Sequence, residues 1–321
     1  MKAMVHHEYG PPDVLRLEDL ARPAPGPYDL LLRVRAAGVN WADYSILTGV
    51  PYMVRLGFGL RRPRDGVRGT DVSGEVEAVG SKVTAYGPGD ELFGWCKGAF
   101  AEYASVPEAN LVQKPEAITH EQAAAVPTAG IVALQALRDV GGVRPGQKAL
   151  IVGASGGIGT FAVQIAKAMG AEVIGVCSTG NLELVRSIGA DRVIDYTKQD
   201  YTGLGERYDF ILDIADTHSI SARRRVLEAD GVLVPNSGEG GRLAGSLGRI
   251  VAARLQSLFV SQRLRPFLSV YKREDLVALA ELIHEGKVVP VVGQVYPLVQ
   301  APAALDVVGR RHSRGKTVVI P

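Results

Sequence analysis

Residues 148–159, which read KALIVGASGGIG, decide the fold of this 321-residue chain. The apolar run Lys148 to Val152 has the character of a buried strand, the glycines form a loop, and residues 160–169 continue as a helix. A strand, a glycine-rich loop and a helix in this order form a dinucleotide-binding βαβ unit, whose helix N-terminus accepts a phosphate. The stretch therefore predicts a parallel-sheet domain that binds a dinucleotide.

The glycines of this loop have distinct physical roles. Gly153 permits a tight turn, and Gly159 allows the helix to pack closely on the strand. Gly156 and Gly157 let backbone N–H groups approach a pyrophosphate. The predicted cofactor contacts in the loop are Gly153, Ser155, Gly156, Gly157, Ile158 and Gly159. The alternative is a structural turn in an α/β domain that binds no cofactor.

The end of the second predicted strand, residues 172–177, bears on which dinucleotide is bound. The small polar residues Ser178, Thr179 and Asn181 follow it, and no Asp or Glu stands there to hold both ribose hydroxyls of NAD. An acid would also repel the 2′-phosphate of NADP. We therefore predict NADP in preference to NAD, with these three residues among its contacts, although no Arg or Lys lies at these positions. Ser178 is also suited to cap a helix over residues 182–188.

The chain on either side of this unit changes in character near residue 120. Before it, short β-branched segments punctuated by glycine, such as residues 30–39 and 72–83, are typical of a strand-rich, barrel-like unit. Beyond it, apolar runs alternate with segments of helical period, which predicts a parallel, doubly wound sheet. The predicted fold class is therefore α/β, with one barrel-like unit and one doubly wound unit.

The last third of the chain predicts four further elements. Apolar residues recur at three- and four-residue steps from Leu243 to Phe259, which predicts a long amphipathic helix packed on its own domain. A membrane-surface role is the alternative for that helix. The pattern then predicts a strand over 265–271, a helix over 273–285 that ends at Gly286, and a strand over 317–320.

The composition excludes several classes of protein. The 36 Lys and Arg residues against 34 Asp and Glu residues leave a net charge of +2, far short of the basic excess typical of nucleic-acid binding. The two cysteines, Cys96 and Cys177, are too few for a disulfide framework, and we interpret both as buried small residues. The first 20 residues are too polar for a secretory signal, and no segment resembles a membrane span. We expect a cytoplasmic protein that binds no nucleic acid.

Four motifs, taken together, resemble a single family. They are residues 37–43 (AGVNWAD), 69–74 (GTDVSG), 123–130 (AAAVPTAG) and the glycine loop, and residues 315–320 (GKTVVI) complete the set. In this order they resemble the zinc-independent quinone oxidoreductase branch of the medium-chain dehydrogenase/reductase superfamily over nearly the whole chain. The resemblance implies a GroES-like β-barrel catalytic domain at residues 1–122 and 267–321, and a Rossmann domain at residues 123–266.

The resemblance also implies that no metal is bound. Zinc-dependent relatives have a Cys where Asn40 stands and a His where Thr70 stands, and they carry a four-cysteine loop that this sequence lacks. The six histidines include no pair at metal-binding helical spacing.

Single residues acquire expected roles from the same resemblance. Asn40 is expected beside the nicotinamide ribose and the acceptor, and Tyr52 is expected to line the acceptor pocket, with Tyr44 as a second candidate because Ser45 stands where a pocket tyrosine is common. For both tyrosines the alternative is packing in a core or loop. The further cofactor contacts expected are Thr128 on a loop before a helix over 129–140, Tyr196 near the 2′-phosphate, Gly238 near the nicotinamide, and Lys316.

Without zinc to polarise a carbonyl, the acceptor must be electrophilic in its own right. The expected function is hydride transfer from NADPH to quinones or other α,β-unsaturated carbonyl compounds. An enoyl-thioester reductase and a non-catalytic NADP(H)-binding protein are the alternatives. We expect a homodimer in which the strand over 265–271 pairs at the edge of the Rossmann sheet.

Five arginines lie close to Tyr52 in the sequence, with Asp65 as the only acid among them; they are Arg55, Arg61, Arg62, Arg64 and Arg68. A functional interpretation is that they hold an anionic acceptor, such as an acyl-CoA thioester, through bidentate contacts. The alternative is a solvated surface loop.

Overall fold

The computed structural model describes residues 1–64, 66–215, 218–236, 262–311 and 313–321. The chain forms two compact units, the first at Met1–Ile131, Tyr271–Glu285 and Pro290–Pro321, and the second at Val132–Val270 and Gly286–Val289. The predicted helix over 243–259 and the predicted contact Gly238 lie outside the described residues.

The elements are numbered in chain order through both units. The strands are β1 (Lys2–Val5), β2 (Arg16–Asp19), β3 (Asp29–Val39), β4 (Asp71–Val79), β5 (Glu91–Trp95), β6 (Tyr103–Pro107), β7 (Leu111–Gln113), β8 (Lys148–Val152), β9 (Glu172–Cys177), β10 (Arg192–Asp195), β11 (Tyr208–Asp213), β12 (Leu227–Pro235), β13 (Arg263–Leu264), β14 (Val292–Pro297) and β15 (Lys316–Ile320). The helices are α1 (Trp41–Thr48), α2 (Val54–Phe58), α3 (His120–Ala124), α4 (Pro127–Leu134), α5 (Gly157–Ala168), α6 (Leu182–Ser187), α7 (Ile220–Arg225), α8 (Arg273–His284) and α9 (Ala301–Gly309).

The second unit is built on a parallel sheet in the order β10-β9-β8-β11-β12-β13. β8 is central, and its residues from Ala149 to Val152 are buried. A strand covered on both faces must be apolar at every position, which is why this run shows no alternation. The arrangement confirms the predicted doubly wound sheet.

The first unit is built on a larger, mainly antiparallel sheet. Its order is β14-β15-β3-β4-β5-β7, and β6 also pairs with β3. The long strand β3 pairs with β15 on one side and β4 on the other, so Gly38 lies opposite both Val318 and Asp71. Leu30, Leu32 and other apolar residues of this sheet form the core of the unit. This confirms the predicted strand-rich unit, and the two sheets together confirm the α/β fold class.

Two predicted elements differ from the structure. The strand predicted over 265–271 does not form: the short strand β13, Arg263–Leu264, ends before it, and a side chain takes backbone hydrogen bonds that a neighbouring strand would supply. The Gln135 amide, for example, donates to the Val270 carbonyl oxygen at 2.7 Å and accepts from the Val270 N–H at 3.2 Å. The homodimer loses this support and stays a prediction.

The helix predicted over 129–140 begins earlier than expected. It starts at Pro127, whose fixed φ and missing N–H suit a first helical position, and it widens into a π-helical segment at Gln135–Gly141. Thr128 therefore lies in the first turn of α4 and not on a loop.

Gly38 sets the distance between β3 and the segment that leads into α4. A Cβ atom at this position would lie 2.2 Å from the Ala124 carbonyl oxygen and 3.1 Å from Asp71 Cβ. Backbone cannot retreat from such an overlap as a flexible side chain can. The absence of a side chain at Gly38 thus brings the start of α4 close to β4.

We expect Gly38→Ala to destabilise the protein by roughly 1–3 kcal/mol, as overpacking does in other cores. Gly87→Ala is the matched control, because a Cβ there meets no atom within 4 Å. The measurement is urea unfolding followed by circular dichroism. Equal midpoints for the two variants would contradict the role given to Gly38.

Candidate active site

The glycine loop of the second unit has the shape of a phosphate cradle. Gly153 has φ +88°, a conformation that side chains disfavour, and its N–H donates to the Val176 carbonyl oxygen at 3.1 Å. A Cβ on Gly159 would lie 2.1 Å from the Gly153 oxygen, so close packing requires glycine there. A Cβ on Gly156 would meet only that oxygen, at 3.4 Å, which leaves the side of the loop before α5 open. These residues fit a pyrophosphate at the N-terminus of α5.

Beyond β9 the polar residues are engaged with one another. Asn181 Nδ2 donates to Ser178 Oγ at 3.0 Å, and Ser178 makes no capping bond to a helix. Thr179 Oγ1 donates to the Asp195 carboxylate at 2.6 Å, and the Thr197 N–H and hydroxyl donate to its other oxygen. Tyr196, between them in sequence, is exposed.

Asp195 is a residue that sequence reasoning missed at this position. It ends β10, the strand beside β9, and it is buried. The hydrogen bond from Thr179 and those from Thr197 hold the pKa of this carboxyl below its usual range. Asp195 could have been predicted as a site residue, because it is an acid at the carboxyl end of a strand, the edge at which open α/β sheets bind their ligands.

The first unit contains a buried cluster of polar side chains at the ends of β3, β4 and β15. We call it the polar cluster and define it as Asn40, Asp43, Thr70, Asp71, Thr128, Tyr271 and Lys316. Of these, the sequence predicted Asn40, Thr128 and Lys316 as site residues. Thr70 was noted only because it stands where zinc-dependent relatives have a His ligand. Sequence reasoning missed Asp43, Asp71 and Tyr271, although both acids lie within motifs that carry the family resemblance.

Asp43 organises the start of α1. Its carboxylate accepts the Asn40 N–H at 2.9 Å and the Thr70 hydroxyl at 3.0 Å. The first bond caps the helix from its third position, a common use of an acid in a first turn. Burial and, to a smaller extent, the nearby Asp71 raise the pKa of Asp43 to about 6, against the opposing hydrogen bonds from Asn40 and Thr70.

Asp71 is the most deeply buried acid of the polar cluster, with no exposed surface. Its carboxylate accepts both the Thr128 hydroxyl at 2.6 Å and the Thr128 N–H at 3.1 Å. Lys316 Nζ lies 3.7 Å from the same carboxylate. Burial raises the pKa of Asp71, while the charge of Lys316 opposes the rise.

Lys316 places a cation inside the polar cluster. Its ammonium donates to Asn40 Oδ1 at 2.5 Å and to the Val39 carbonyl oxygen at 3.1 Å. Burial lowers the pKa of Lys316, and Asp71 and Asp43 raise it in turn. The bond to Lys316 fixes the Asn40 amide, whose buried Nδ2 lies near Asp71 but makes no hydrogen bond of good geometry within the described residues. Asn40 therefore holds a directed donor that a bound molecule can use.

Thr128 links the polar cluster to an aromatic pair. Its hydroxyl lies 2.6 Å from the Tyr271 hydroxyl, and the Tyr271 ring stacks on Trp95 with centroids 5.1 Å apart. Tyr271 is 38% exposed as a residue, so the chain of hydrogen bonds leads from a buried acid to a partly exposed tyrosine.

The two tyrosines predicted for the acceptor pocket have different surroundings. Tyr44 packs against the core of the first unit, where a Cβ on Gly309 would come within 2.4 Å of its ring. Tyr52 is exposed, and the Arg55 guanidinium lies 4.9 Å from its ring centre. Ser45 is buried and donates to the Val50 carbonyl oxygen at 2.6 Å. The geometry of Tyr44 matches the packing alternative.

The two cysteines are buried, and burial raises the pKa of both thiols, that of Cys177 to about 11. Their sulfurs are therefore protonated at neutral pH, as expected for small core residues and not for nucleophiles.

The five arginines near Tyr52 do not form one exposed group. Arg61, Arg62 and Arg64 are exposed, whereas Arg68 is buried and its backbone bonds to Met4 and Phe100. Arg55 donates from Nε to the Gly49 carbonyl oxygen at 3.0 Å. A surface for an anion can therefore use three of the five.

We expect stability to depend on pH through Asp43. Its pKa lies above the ordinary 3.8, at about 6, so the folded state prefers the protonated form and loses stability as pH rises from about 4 to about 6. Asp43→Asn removes this loss. The unfolding free energy of the variant, relative to that of the wild type, should therefore rise by about 3 kcal/mol between pH 4 and pH 6. Urea unfolding at each pH measures the difference.

Asp195→Asn is the control for this prediction, because a lowered pKa has the opposite sign. That variant should lose stability relative to the wild type above about pH 4. A constant difference between Asp43→Asn and the wild type from pH 4 to pH 7 would contradict the burial of a charged Asp43.

Comparison with known proteins assigns the family. Residues 26–116 match the model "Alcohol dehydrogenase GroES-like domain", and residues 188–319 match the model "Zinc-binding dehydrogenase". The mouse mitochondrial NAD(P)H oxidoreductase RTN4IP1 is 34% identical over 99% of this chain and 89% of its own length. The chloroplast envelope quinone oxidoreductase homolog of Arabidopsis thaliana is 32% identical over 100% of this chain and 98% of its own.

Solved structures agree with these relatives. The quinone oxidoreductase of Coxiella burnetii superimposes with a TM-score of 0.85 at 29% identity, covering 100% of this chain and 99% of its own. The Escherichia coli quinone oxidoreductase complexed with NADPH superimposes with a TM-score of 0.84 at 25% identity over all of both chains. In the part of the chain that the structure describes, no helix is both long and apolar enough to span a bilayer. The cytoplasmic location stays a prediction. The chain thus belongs to the quinone oxidoreductase branch of the medium-chain dehydrogenase/reductase superfamily, and it is an oxidoreductase.

Proposed function

We propose that the protein is a zinc-independent, NADPH-dependent reductase that transfers a hydride to quinones or other α,β-unsaturated carbonyl compounds. The observation that supports this most is the position of Lys316. Its ammonium is bound to Asn40 and lies beside Asp71, in the part of the fold where zinc-dependent relatives place a metal ligand. The proposal assigns catalysis to residues 1–122 and 267–321, and cofactor binding to residues 123–266.

The residues present do not fit a catalytic zinc ion. Asn40 stands for the usual Cys, its oxygen already accepts from Lys316, and the Thr70 hydroxyl is bound to Asp43. A fixed ammonium at this place repels a dication, and amide and hydroxyl oxygens are poor zinc ligands. Within the described ranges, no three His, Cys, Asp or Glu side chains are grouped so that they could hold a metal.

This has a consequence for the acceptor. Without a Lewis acid, a simple ketone or aldehyde has little means of stabilising the charge that hydride addition creates. A quinone or enone delocalises that charge by itself, and hydrogen bonds complete the stabilisation. We assign one such donor to Asn40 Nδ2, which is buried, oriented by Lys316 and otherwise without a hydrogen bond in the described part of the chain.

The cofactor loop supports the assignment of a dinucleotide. Bound there, the cofactor supplies the hydride, and the protein's part is to hold and orient it. The Gly156 to Gly159 segment accommodates the pyrophosphate, and the absence of an acid after Cys177 leaves room for a 2′-phosphate. The buried Asp195 carboxylate nearby accepts from Thr179 and Thr197, and its charge opposes a 2′-phosphate, so the preference rests on the missing acid after Cys177. We therefore propose NADPH over NADH.

A second candidate function is reduction of enoyl thioesters. The exposed arginines Arg61, Arg62 and Arg64 follow an exposed apolar pair, Leu56 and Leu60, which together suit an anionic carrier attached to an acyl chain. This surface favours an acyl-CoA over a neutral quinone.

We expect the purified protein, dialysed against a chelator, to oxidise NADPH with an ortho-quinone and to oxidise NADH at least about ten-fold less efficiently, a preference worth about 1.4 kcal/mol in transition-state binding. The measurement is the decrease in absorbance at saturating acceptor. Activity that disappears on dialysis and returns with zinc would overturn the zinc-independent proposal.

The same assay with crotonyl-CoA distinguishes the second candidate. If thioesters are the substrates, crotonyl-CoA is reduced faster than the quinone, and Arg61→Ala with Arg62→Ala raises its KM about ten-fold or more, as loss of charge-assisted contacts does. Arg263→Ala, a change at an exposed arginine of the second unit, is the control. The first candidate is supported if quinone turnover exceeds thioester turnover and is unchanged by Arg61→Ala with Arg62→Ala.

A further inference from the structure

We propose that the Tyr271 hydroxyl donates the proton that completes reduction of the acceptor, and that Thr128 and Asp71 form the hydrogen-bonded path behind it. This rests on the proposed function, because it concerns the basic anion that hydride transfer to an enone creates. It adds a catalytic acid that neither the sequence motifs nor the relatives' names assign.

The three groups form a continuous path of short hydrogen bonds. Thr128 Oγ1 lies 2.6 Å from Asp71 Oδ1 and 2.6 Å from the Tyr271 hydroxyl, both at the short end of the range for O–H···O bonds. Asp71 has no exposed surface, whereas Tyr271 is 38% exposed. The path therefore connects a carboxyl group without exposed surface to the hydroxyl of a residue that is partly exposed.

The direction of the hydrogen bonds depends on the state of Asp71. An ionised carboxylate only accepts, so Thr128 must donate to it, and Tyr271 must then donate to Thr128. When Asp71 carries a proton, both bonds reverse, and the Tyr271 hydrogen becomes available to an acceptor. Loading the buried carboxyl with a proton thus turns Tyr271 into a donor.

Two contacts hold Tyr271 in place for this role. Its ring stacks on Trp95 at an interplanar angle of 26°, a contact that restricts rotation of the ring. Arg273, at the start of α8, donates to the Leu111 carbonyl oxygen at 3.2 Å and anchors the backbone two residues later. The hydroxyl is therefore held in one position before an acceptor binds.

Three coupled proton transfers neutralise the acceptor. Hydride transfer leaves two additional electrons and a negative charge on the acceptor. The Tyr271 O–H bond breaks as a new O–H bond forms on the acceptor oxygen, the Thr128 hydrogen moves to Tyr271, and the Asp71 hydrogen moves to Thr128. Asp71 is left ionised 3.7 Å from the Lys316 ammonium, which stabilises the charge. Water returns a proton along the same path after the product leaves.

The directions of the pKa shifts agree with this order of proton transfers. Burial raises the pKa of Asp71, which favours the protonated form that the path requires, and the charge of Lys316 opposes the rise. Burial and the charge of Asp71 raise the pKa of Tyr271, so its resting form keeps the hydrogen that the reaction needs. Asp43 and the Cys96 thiol are the other titratable groups near Asp71.

The test is Tyr271→Phe, which removes the hydroxyl and keeps the ring on Trp95. With an enone as acceptor, we expect kcat to fall at least about ten-fold while the KM for NADPH stays within about two-fold, since a positioned general acid contributes 10² or more in favourable cases. The solvent deuterium isotope effect on kcat, present in the wild type, should also change. Reduction of an electron-poor quinone should be nearly unaffected, because its hydroquinone anion is stable and takes its proton from water.

Tyr296→Phe is the matched control, because that tyrosine lies in the same unit and its hydroxyl donates to Gln294 Oε1 at 2.9 Å, outside the polar cluster. Wild-type enone kinetics and isotope effect in Tyr271→Phe would overturn the inference and leave the proposed function intact. A wild-type protein that reduces neither acceptor would instead overturn the proposed function, and the inference with it. If Tyr271→Phe fails to fold, Thr128→Val, which interrupts the path at nearly constant volume, decides the same question.

Discussion

The structure of the first unit depends on how the groups around one buried acid, Asp71, satisfy its carboxyl oxygens. A carboxylate without exposed surface is costly unless its oxygens are hydrogen-bonded or paired with a cation. Thr128 supplies two hydrogen bonds and Lys316 supplies the cation, so the ends of β4, α4 and β15 must meet at this point. Asn40 joins them by accepting from the same lysine. The groups that stabilise the fold here are also the groups that face the proposed chemistry.

The same requirement explains why glycine stands at Gly38. The start of α4 can bring Thr128 to Asp71 only if the preceding turn lies directly on β3, and a Cβ at Gly38 would strike the Ala124 carbonyl oxygen. The buried pairing of Thr128 with Asp71 therefore depends on the close backbone approach at Gly38. The cofactor loop also depends on close backbone approach, since Gly159 lets the helix pack against the Gly153 carbonyl oxygen, but this contact involves no buried charge.

Most of the architecture was predictable from sequence because its signals are local. The run from Lys148 to Gly159 contains strand, turn and helix start within a dozen residues, and the structure has these elements in the predicted order, with the helix beginning at Gly157 instead of residue 160. The polar cluster was only partly predictable, since Asn40, Asp71 and Lys316 come from distant strands and no periodicity marks their pairing. The strand predicted over 265–271 was wrong although its local signal was present. The segment has the composition of a strand, but the distant Gln135 side chain takes the backbone hydrogen bonds of Val270.

The contact between Lys316 and Asn40 spans 276 residues of chain, and this separation has a kinetic consequence. Closing so long a loop is entropically unfavourable, and contacts of this kind form late when a protein folds. The second unit, which lies between the two partners in sequence, makes its sheet from residues that are much closer together. If that unit folds first, it brings the two ends of the intervening chain nearer to each other than a flexible chain would. The glycine loop would then exist before the lysine reaches the acids, so the ability to bind a nucleotide would precede catalytic competence during folding.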